Sequence, residues 1–524
     1  MQRRQLLAAG GAILAAPALA QPANARVLKH VPQANLSTLD PFWTTAYIAR
    51  NHAYMVYEQL YGLDAEYKPH PQGVEGHTIE DDGLRWVFTL RENQKFHDGE
   101  PVRAIDVVAS INRWARRDAF GQRLLSQADE IAALDDRRFH IRLKKPFPPM
   151  LDAFAKVTTP CLFIMPERVA KTDPFQQIND ATGSGPYRFV HNEWVPGVKA
   201  VWARNDAWVP RPNAGPAVWT SGTKIPHFER VEWHIIPDAA TAAAAMQSGE
   251  IDWWEQPTAD LFPVLARNRN IVVEVADPAG LICTFRPNHL TEPFNNPAVR
   301  RAVVTAVNQM DIMTAVIGDD PKLKKEKVGF FAPASPLAAD VGLDRYRNSI
   351  EQARRELQAA GAMGAKLVLM NATDLASINA AGLVGADLFR RMGFDVDYVA
   401  TDWGSVVQRR ASKNPLSQGG WSGFFTFWSG IDHWTPAGHN ALRGNGAQAW
   451  FGWPEIPEIE AARDAWFDAP NLAEQQKFTR EIQRVAFEQV PYVPGGMYYQ
   501  PTAYLRNLTG VLQGPPLFWN VRRV

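Results

Sequence analysis

The side chains best placed to do chemistry crowd into one stretch, GGWSGFFTFWSGIDHW, running from Gly419 to Trp434. It holds three Trp, three Phe and a single carboxylate, Asp432. Indole and phenyl faces stack on flat groups and attract cations, each worth about 0.5–2 kcal/mol when water is excluded. Gly419, Gly420, Gly423 and Gly430 lose more conformational freedom on folding than other residues, so each needs a backbone reason. Small-molecule cavities are mostly apolar and aromatic with a few placed polar groups, which is this composition. Trp421, Phe425 and Trp428 are therefore expected to face a ligand. Asp432 is expected to be the anion opposite a cationic group, with backbone near Gly419 and Trp421 supplying hydrogen bonds. The interrupting Gly and Ser argue against a helix or a regular strand here.

Other chemistries fit less well. GWSGF is not the G-x-S-x-G elbow of a serine nucleophile, because Gly423 directly follows Ser422. His433 and His439 have no Cys or carboxylate at zinc-ligand spacing. TGSGPYRF, from Thr182, has Arg188 where a dinucleotide fingerprint wants its third glycine. Neither a cofactor nor a metal is expected.

The surrounding elements alternate between helix and strand. Trp86, Phe88 and Leu90 fall on one face at a period of two, and Phe139, Ile141 and Leu143 do the same, so both segments read as strands. AIDVVASINRWARR, following the Asp98-Gly99 turn, reads as a helix with Asp106 in its first turn. AATAAAAMQS reads as a helix that Gly249 ends. NNPAVRRAVVTAVNQMDIM reads as one amphipathic helix started by Pro297. The run from Ala365 to Trp403 reads strand, helix, strand, the rhythm of an open sheet lobe. The class is α/β in several lobes.

The amino terminus, MQRRQLLAAGGAILAAPALAQ, has a basic start, an apolar centre and the small-residue pattern of Ala18-Leu19-Ala20, the layout of a cleaved signal peptide over residues 1–20. Its Arg3-Arg4-Gln5-Leu6-Leu7 order also resembles a twin-arginine signal, and both export routes stay open. The mature chain is expected in the periplasm. The 55 basic residues against 55 acidic ones leave no overall field to attract nucleic acid. Cys161 and Cys283 cannot staple a scaffold of this size and read as two buried thiols.

Several stretches, in order, resemble the solute-binding proteins of peptide-type ABC importers (the dipeptide- and oligopeptide-binding family, solute-binding family 5). They are LSTLDP (36–41), KFHDGEPVRAIDVVASINRW (95–114), TGSGPYRF (182–189), AAMQSGEIDW (244–253), FNNPAVRRAVVTAVNQMDI (294–312) and the closing VPYVPGGMYYQPTAY. The resemblance implies a two-lobed periplasmic-binding-protein fold of class II type with an extra domain inserted in the first lobe. It assigns 21–66, 182–283 and 489–524 to that lobe, 67–181 to the insert and 284–488 to the second lobe.

The same resemblance implies a peptide or similar-sized organic ligand, ABC permease and ATPase partners, and a monomer. It places Trp43 and Thr44 where the first lobe reaches the cleft; Trp403, in DWGSV, and Tyr498, after the VPGG turn near the hinge, are further ligand-binding candidates. Peptide binders of this family carry a Trp-Thr-Gly-Asp type loop whose carboxylate meets the ligand's amine. Trp421-Ser422-Gly423 matches its start, but Phe424-Phe425 follows where an acid is expected. That departure points to a larger or more apolar ligand, leaving open a non-peptide cargo (opine, haem, sugar or nickel chelate) and an exported hydrolase using Ser422, His433 and Asp432.

Overall fold

The computed structural model describes residues 26–524; the signal-peptide segment lies outside the described residues. Two large sheets form the two lobes. The first has seven strands in the order Ile271–Val275, Pro501–Leu505, Trp253–Trp254, Val27–Val31, Arg230–His234, Lys199–Arg204 and Tyr187–Phe189. The second has six, in the order Lys324–Lys325, Val493–Tyr498, Leu281–Pro287, Gly423–Ser429, Lys366–Ala372 and Asp395–Thr401. A separate antiparallel sheet of Val74–Glu80, Arg85–Leu90, Arg138–Leu143 and Ala128–Ala133 carries the insert. Trp86, Phe88 and Leu90 point inward together, as their spacing requires.

The chain passes between the large sheets twice. Val275 pairs with Pro501 in the first sheet, and Leu281 pairs with Tyr498 in the second. The two links, 276–280 and 499–500, therefore run side by side. Strand membership here differs from the division read from sequence: Leu281–Cys283 and Val493–Tyr498 belong to the second lobe's sheet. Continuous apolar runs on either side of a crossing carry no mark of which sheet claims them.

Two local expectations are corrected. The segment 295–313 is not one helix; Pro297–Ala306 and Gln309–Ile317 are separate. Val307 between them is extended, and Asn308 restarts the helix by accepting a hydrogen bond from Met310 N, a role its short polar side chain favours over a mid-helix position. The aromatic segment does contain a regular strand, Gly423–Ser429, in register with Leu281–Pro287. Its glycines sit where space is missing. A Cβ on Gly423 would lie 2.5 Å from the Phe285 ring, and one on Gly430 would lie 2.0 Å from the Ala279 carbonyl oxygen, at a crossing.

Alpha-helix Ala239–Ser248 ends at Gly249, whose φ of 75° is the left-handed cap. Both cysteines are free and buried. No helix among the described residues is long and apolar enough to cross a membrane.

Candidate functional site

Neighbouring cavities that share lining residues lie between the lobes. A chamber of about 650 Å³ has Gln33, Trp254 and Asp260 of the first lobe facing Asp319, Asp374 and Ser377 of the second. It narrows to a neck of about 40 Å³ between Thr45 and Ala46 on one side and Trp403, Arg410, Trp428 and Tyr498 on the other. Gln33, Ala34, Gln256, Leu375 and Ser377 line both spaces. Beyond Thr45 and Trp450, a second chamber of about 580 Å³ opens toward the insert, with Trp43, Thr44, Phe175, Lys413 and Phe451 on its walls. A small space of about 70 Å³ by the crossings is lined by Tyr47, Arg50, Asp277 and Ser429.

Local structure explains the neck. Residues 424, 426 and 428 share one face of the strand and 425 the other. Phe425 consequently turns into the second lobe's core, 5.1 Å from Phe285, over Gly385 of the neighbouring helix. Trp428 stacks edgewise on Trp450 at 5.0 Å, and Tyr498 on Phe427 at 5.0 Å. Helix Trp403–Arg409 begins with Asp402 capping Ser405 N and carries Trp403 and, just past its end, Arg410 to the same gap.

Arg410 is the unusual group. It is 1 % exposed and forms no ion pair among the described residues. Its Nη2 donates to Thr44 Oγ1 at 3.2 Å and Thr45 Oγ1 at 3.4 Å, across the lobe boundary. Trp403, Trp450 and Phe451 rings surround its guanidinium. Burial, with Arg117 nearby, pushes its pKa down to about 9. Its Nε has no hydrogen-bond partner, and neither does Nε1 of Trp428. Buried donors left unpaired cost about 1–3 kcal/mol each, more when charged.

The candidates from sequence divide accordingly. Trp403, Trp428 and Tyr498 meet at the neck; Trp43 and Thr44 line the second chamber. Trp421 and Phe425 do not join them. Trp421 is fully buried, its Nε1 donating to the Ser412 carbonyl at 3.2 Å and its ring against Phe424 and Trp453. The Gly419 carbonyl accepts from Arg409 Nε at 3.0 Å, and that of Trp421 accepts from Asn288 Nδ2, so the backbone groups there are already used.

Asp432 sits on the lobe boundary but is enclosed. Tyr47 of the first lobe donates its hydroxyl to Oδ2, while Oδ1 has no partner. Burial raises this carboxyl to about 6, against the opposing pull of Tyr47, Arg50 and Lys156. The tripeptide Trp-Ser-Gly occurs twice, and it is the second copy, Trp428-Ser429-Gly430, that reaches the gap and precedes Asp432. Ser422 accepts from Val368 N at 3.0 Å inside the sheet, and His433 stacks on His439 with ring centroids 4.0 Å apart. Burial holds both imidazoles neutral, His439 at about 3.

Sequence reading missed Arg410, Thr45, Tyr47 and Trp450. Arg409-Arg410 reads as the basic end of a helix, which favours cations anyway. AWFGW, from Ala449 to Trp453, repeats the aromatic-glycine signal that singled out 419–434 and pointed to Trp450.

The model of bacterial extracellular solute-binding proteins, family 5 middle region, matches residues 68–449. A probable peptide ABC transporter periplasmic-binding protein of Sinorhizobium fredii is 36 % identical, over 100 % of this chain and 99 % of its own. Among solved structures, DppA of Helicobacter pylori with the peptide STSA has a TM-score of 0.77 at 21 % identity, covering 95 % of this chain and 98 % of that one. AgaA of A. tumefaciens R10 with agropinic acid has a TM-score of 0.76 at 21 % identity, covering 94 % and 96 %. The two structures speak to the fold: two lobes with an insert. This chain belongs to the bacterial extracellular solute-binding proteins of family 5.

Proposed function

We propose that this protein captures a peptide, or an organic solute of similar size, carrying an anionic group, between its lobes in the periplasm and delivers it to an ABC permease. The energy comes from ATPase subunits of that importer; this chain acts by binding, as a monomer, after losing its first twenty residues. One observation carries the reading: Arg410, buried without an ion pair among the described residues, lines the neck between the lobes beside Trp428, and Arg410 Nε and Trp428 Nε1 have no hydrogen-bond partner. A carboxylate there accepts from both and neutralises a cation that the fold leaves alone.

The first lobe is discontinuous, made of the amino-terminal strand, the middle segment to Val275 and the end from Pro501; the insert lies between its first two parts. The side-by-side links act as the hinge. A ligand touching Thr45 on one side and Arg410 and Trp428 on the other favours the closed arrangement by its differential affinity. The cargo named for the Sinorhizobium fredii relative, peptide, supports the first choice. The occupation of Asp432 by Tyr47 favours a second reading, an opine-like acid, because it leaves that carboxylate closed to a peptide amine.

Native mass spectrometry of the protein purified from periplasm decides between them. An added mass that disappears in Arg410→Gln, and that fragments as a peptide or as an amino-acid conjugate, is the expected result. A co-purified solute retained unchanged by Arg410→Gln refutes the neck as its site.

A further inference from the structure

The insert also touches the second lobe, away from the neck. Its helix Ala119–Gln127 begins at Asp118, whose carboxylate accepts from Phe120 N and Gly121 N and pairs with Lys156 at 2.6 Å. A helix start leaves further backbone donors over, and Ala119 N donates to Asn440 Oδ1 of the second lobe at 3.2 Å. The same amide donates through Nδ2 to the insert's Thr159 carbonyl at 2.8 Å. One turn on, Arg123 reaches Asp464 at 2.8 Å and Asp468 at 3.5 Å, and Lys145 reaches Asp468 at 3.0 Å. Both carboxylates lie at the end of helix Pro457–Phe467. Phe467 packs beside these ion pairs against Phe120 and Phe147 of the insert, with ring centroids 5.9 and 6.3 Å apart, and Arg123 covers its ring.

Two joints therefore hold the insert, and they differ in kind. Toward the first lobe, Arg113 pairs with Asp40 at 2.7 Å, both side chains fully buried. Separating such a pair leaves an uncompensated buried charge and is strongly destabilising. Toward the second lobe, the side chains of Asp464 and Asp468 are 62 % and 57 % exposed, so water takes over from their partners at little cost. Neither the ion pairs nor the three rings line either chamber or the neck. The gripped helix leads on, through Leu472–Gln489 and strand Val493–Tyr498, into the 499–500 link.

Resting on the hinged closure proposed above, we propose that this contact is a clasp. It sets the fraction of closed protein, and so the residence of whatever the gap holds, without touching it. When the lobes part, the exposed joint yields and the insert travels with the first lobe. Contacts made only in the closed arrangement raise its population, and apparent affinity rises with the binding-competent fraction.

Pulsed EPR of ligand-free protein spin-labelled at Val264→Cys and Leu383→Cys, exposed sites on the first and second lobes, reads the closed-to-open ratio. Arg123→Ala/Lys145→Ala and, separately, Phe467→Ala should each lower that ratio about threefold to tenfold. The charge variant leaves the three rings in place, so it decides alone if Phe467→Ala fails to fold. Labels at Ile79→Cys in the insert and Val264→Cys should keep one distance throughout. Two lobe distances in the wild type, at a ratio the variants leave unchanged, overturn the clasp and leave the hinge standing. An Ile79–Val264 distance that lengthens as the lobes part shows the insert staying with the second lobe, and refutes the assignment as well. A single lobe distance shared by wild type and variants, with co-purified solute or without it, removes hinge and clasp together.

Discussion

Tyr47, the first residue of a first-lobe helix, donates its hydroxyl to Asp432 of the second lobe, and the same oxygen accepts from Ser429 N. One phenol thus joins both lobes at the end of the strand that carries Trp428. Arg50 lies over the Tyr47 ring, 4.3 Å from its centre, yet burial dominates and lifts the carboxyl to about 6. The residue singled out in the sequence as a ligand anion is, in this arrangement, a closure contact.

The burial of Asp432 makes stability depend on acid in an inverted sense. The folded protein binds the Asp432 proton more tightly than the unfolded chain, whose value lies near 3.8. The stabilisation is complete below the unfolded value and is lost as pH rises through about 6. A shift of this size corresponds to roughly 3 kcal/mol. Wild type should therefore lose about that much relative to Asp432→Asn between about pH 4 and about pH 7. Urea midpoints at the two ends measure it, and a constant difference between the proteins refutes it.

Arg410→Met should separate stability from binding. The cation lacks an acidic partner, so replacing it with an apolar chain of similar length should change the ligand-free unfolding free energy by no more than about 1 kcal/mol. Ligand affinity should fall at least about tenfold, because the ligand's anion loses its partner. Thermal melts and calorimetry with the co-purified solute check both. A destabilised variant with full affinity would make Arg410 structural.

Trp421 and Trp428 have the same next two neighbours but opposite hydrogen-bond states, and Trp→Phe tells them apart. Trp421→Phe removes a satisfied bond to the Ser412 carbonyl and should cost about 1–3 kcal/mol of stability with affinity intact. Trp428→Phe removes only an unpaired donor. Its stability should hold while affinity drops about threefold to tenfold.

The thiols should be silent in the native state. Burial raises Cys161 to about 11 and Cys283 further in the same direction, and thiolate is the reactive form. A thiol reagent should count neither cysteine in buffer and both in denaturant; fast native labelling of either would contradict their burial.

Short-range physics made much of this molecule legible. A period of two fixed the strand of Trp86, Phe88 and Leu90, and Gly249 ended its helix because a left-handed residue must. The motif series placed the chain in a two-lobed family before any coordinates. The segment 295–313 reads as one helix from sequence because Asn308 looks like an interior residue until its side chain caps a second helix.

What the sequence by itself determined was the class of fold and a region of aromatic surface, since both follow from composition and spacing along the chain. Which rings line the gap between the lobes and which fill a core was decided only in three dimensions. A strand has two faces, and the neighbours on each face, Phe285 and Gly385 behind Phe425, Thr45 and Arg410 before Trp428, come from distant segments. The same holds for charge: Arg410 is left without an ion pair because no carboxylate arrives beside it after folding, and nothing local to Arg409-Arg410 says so.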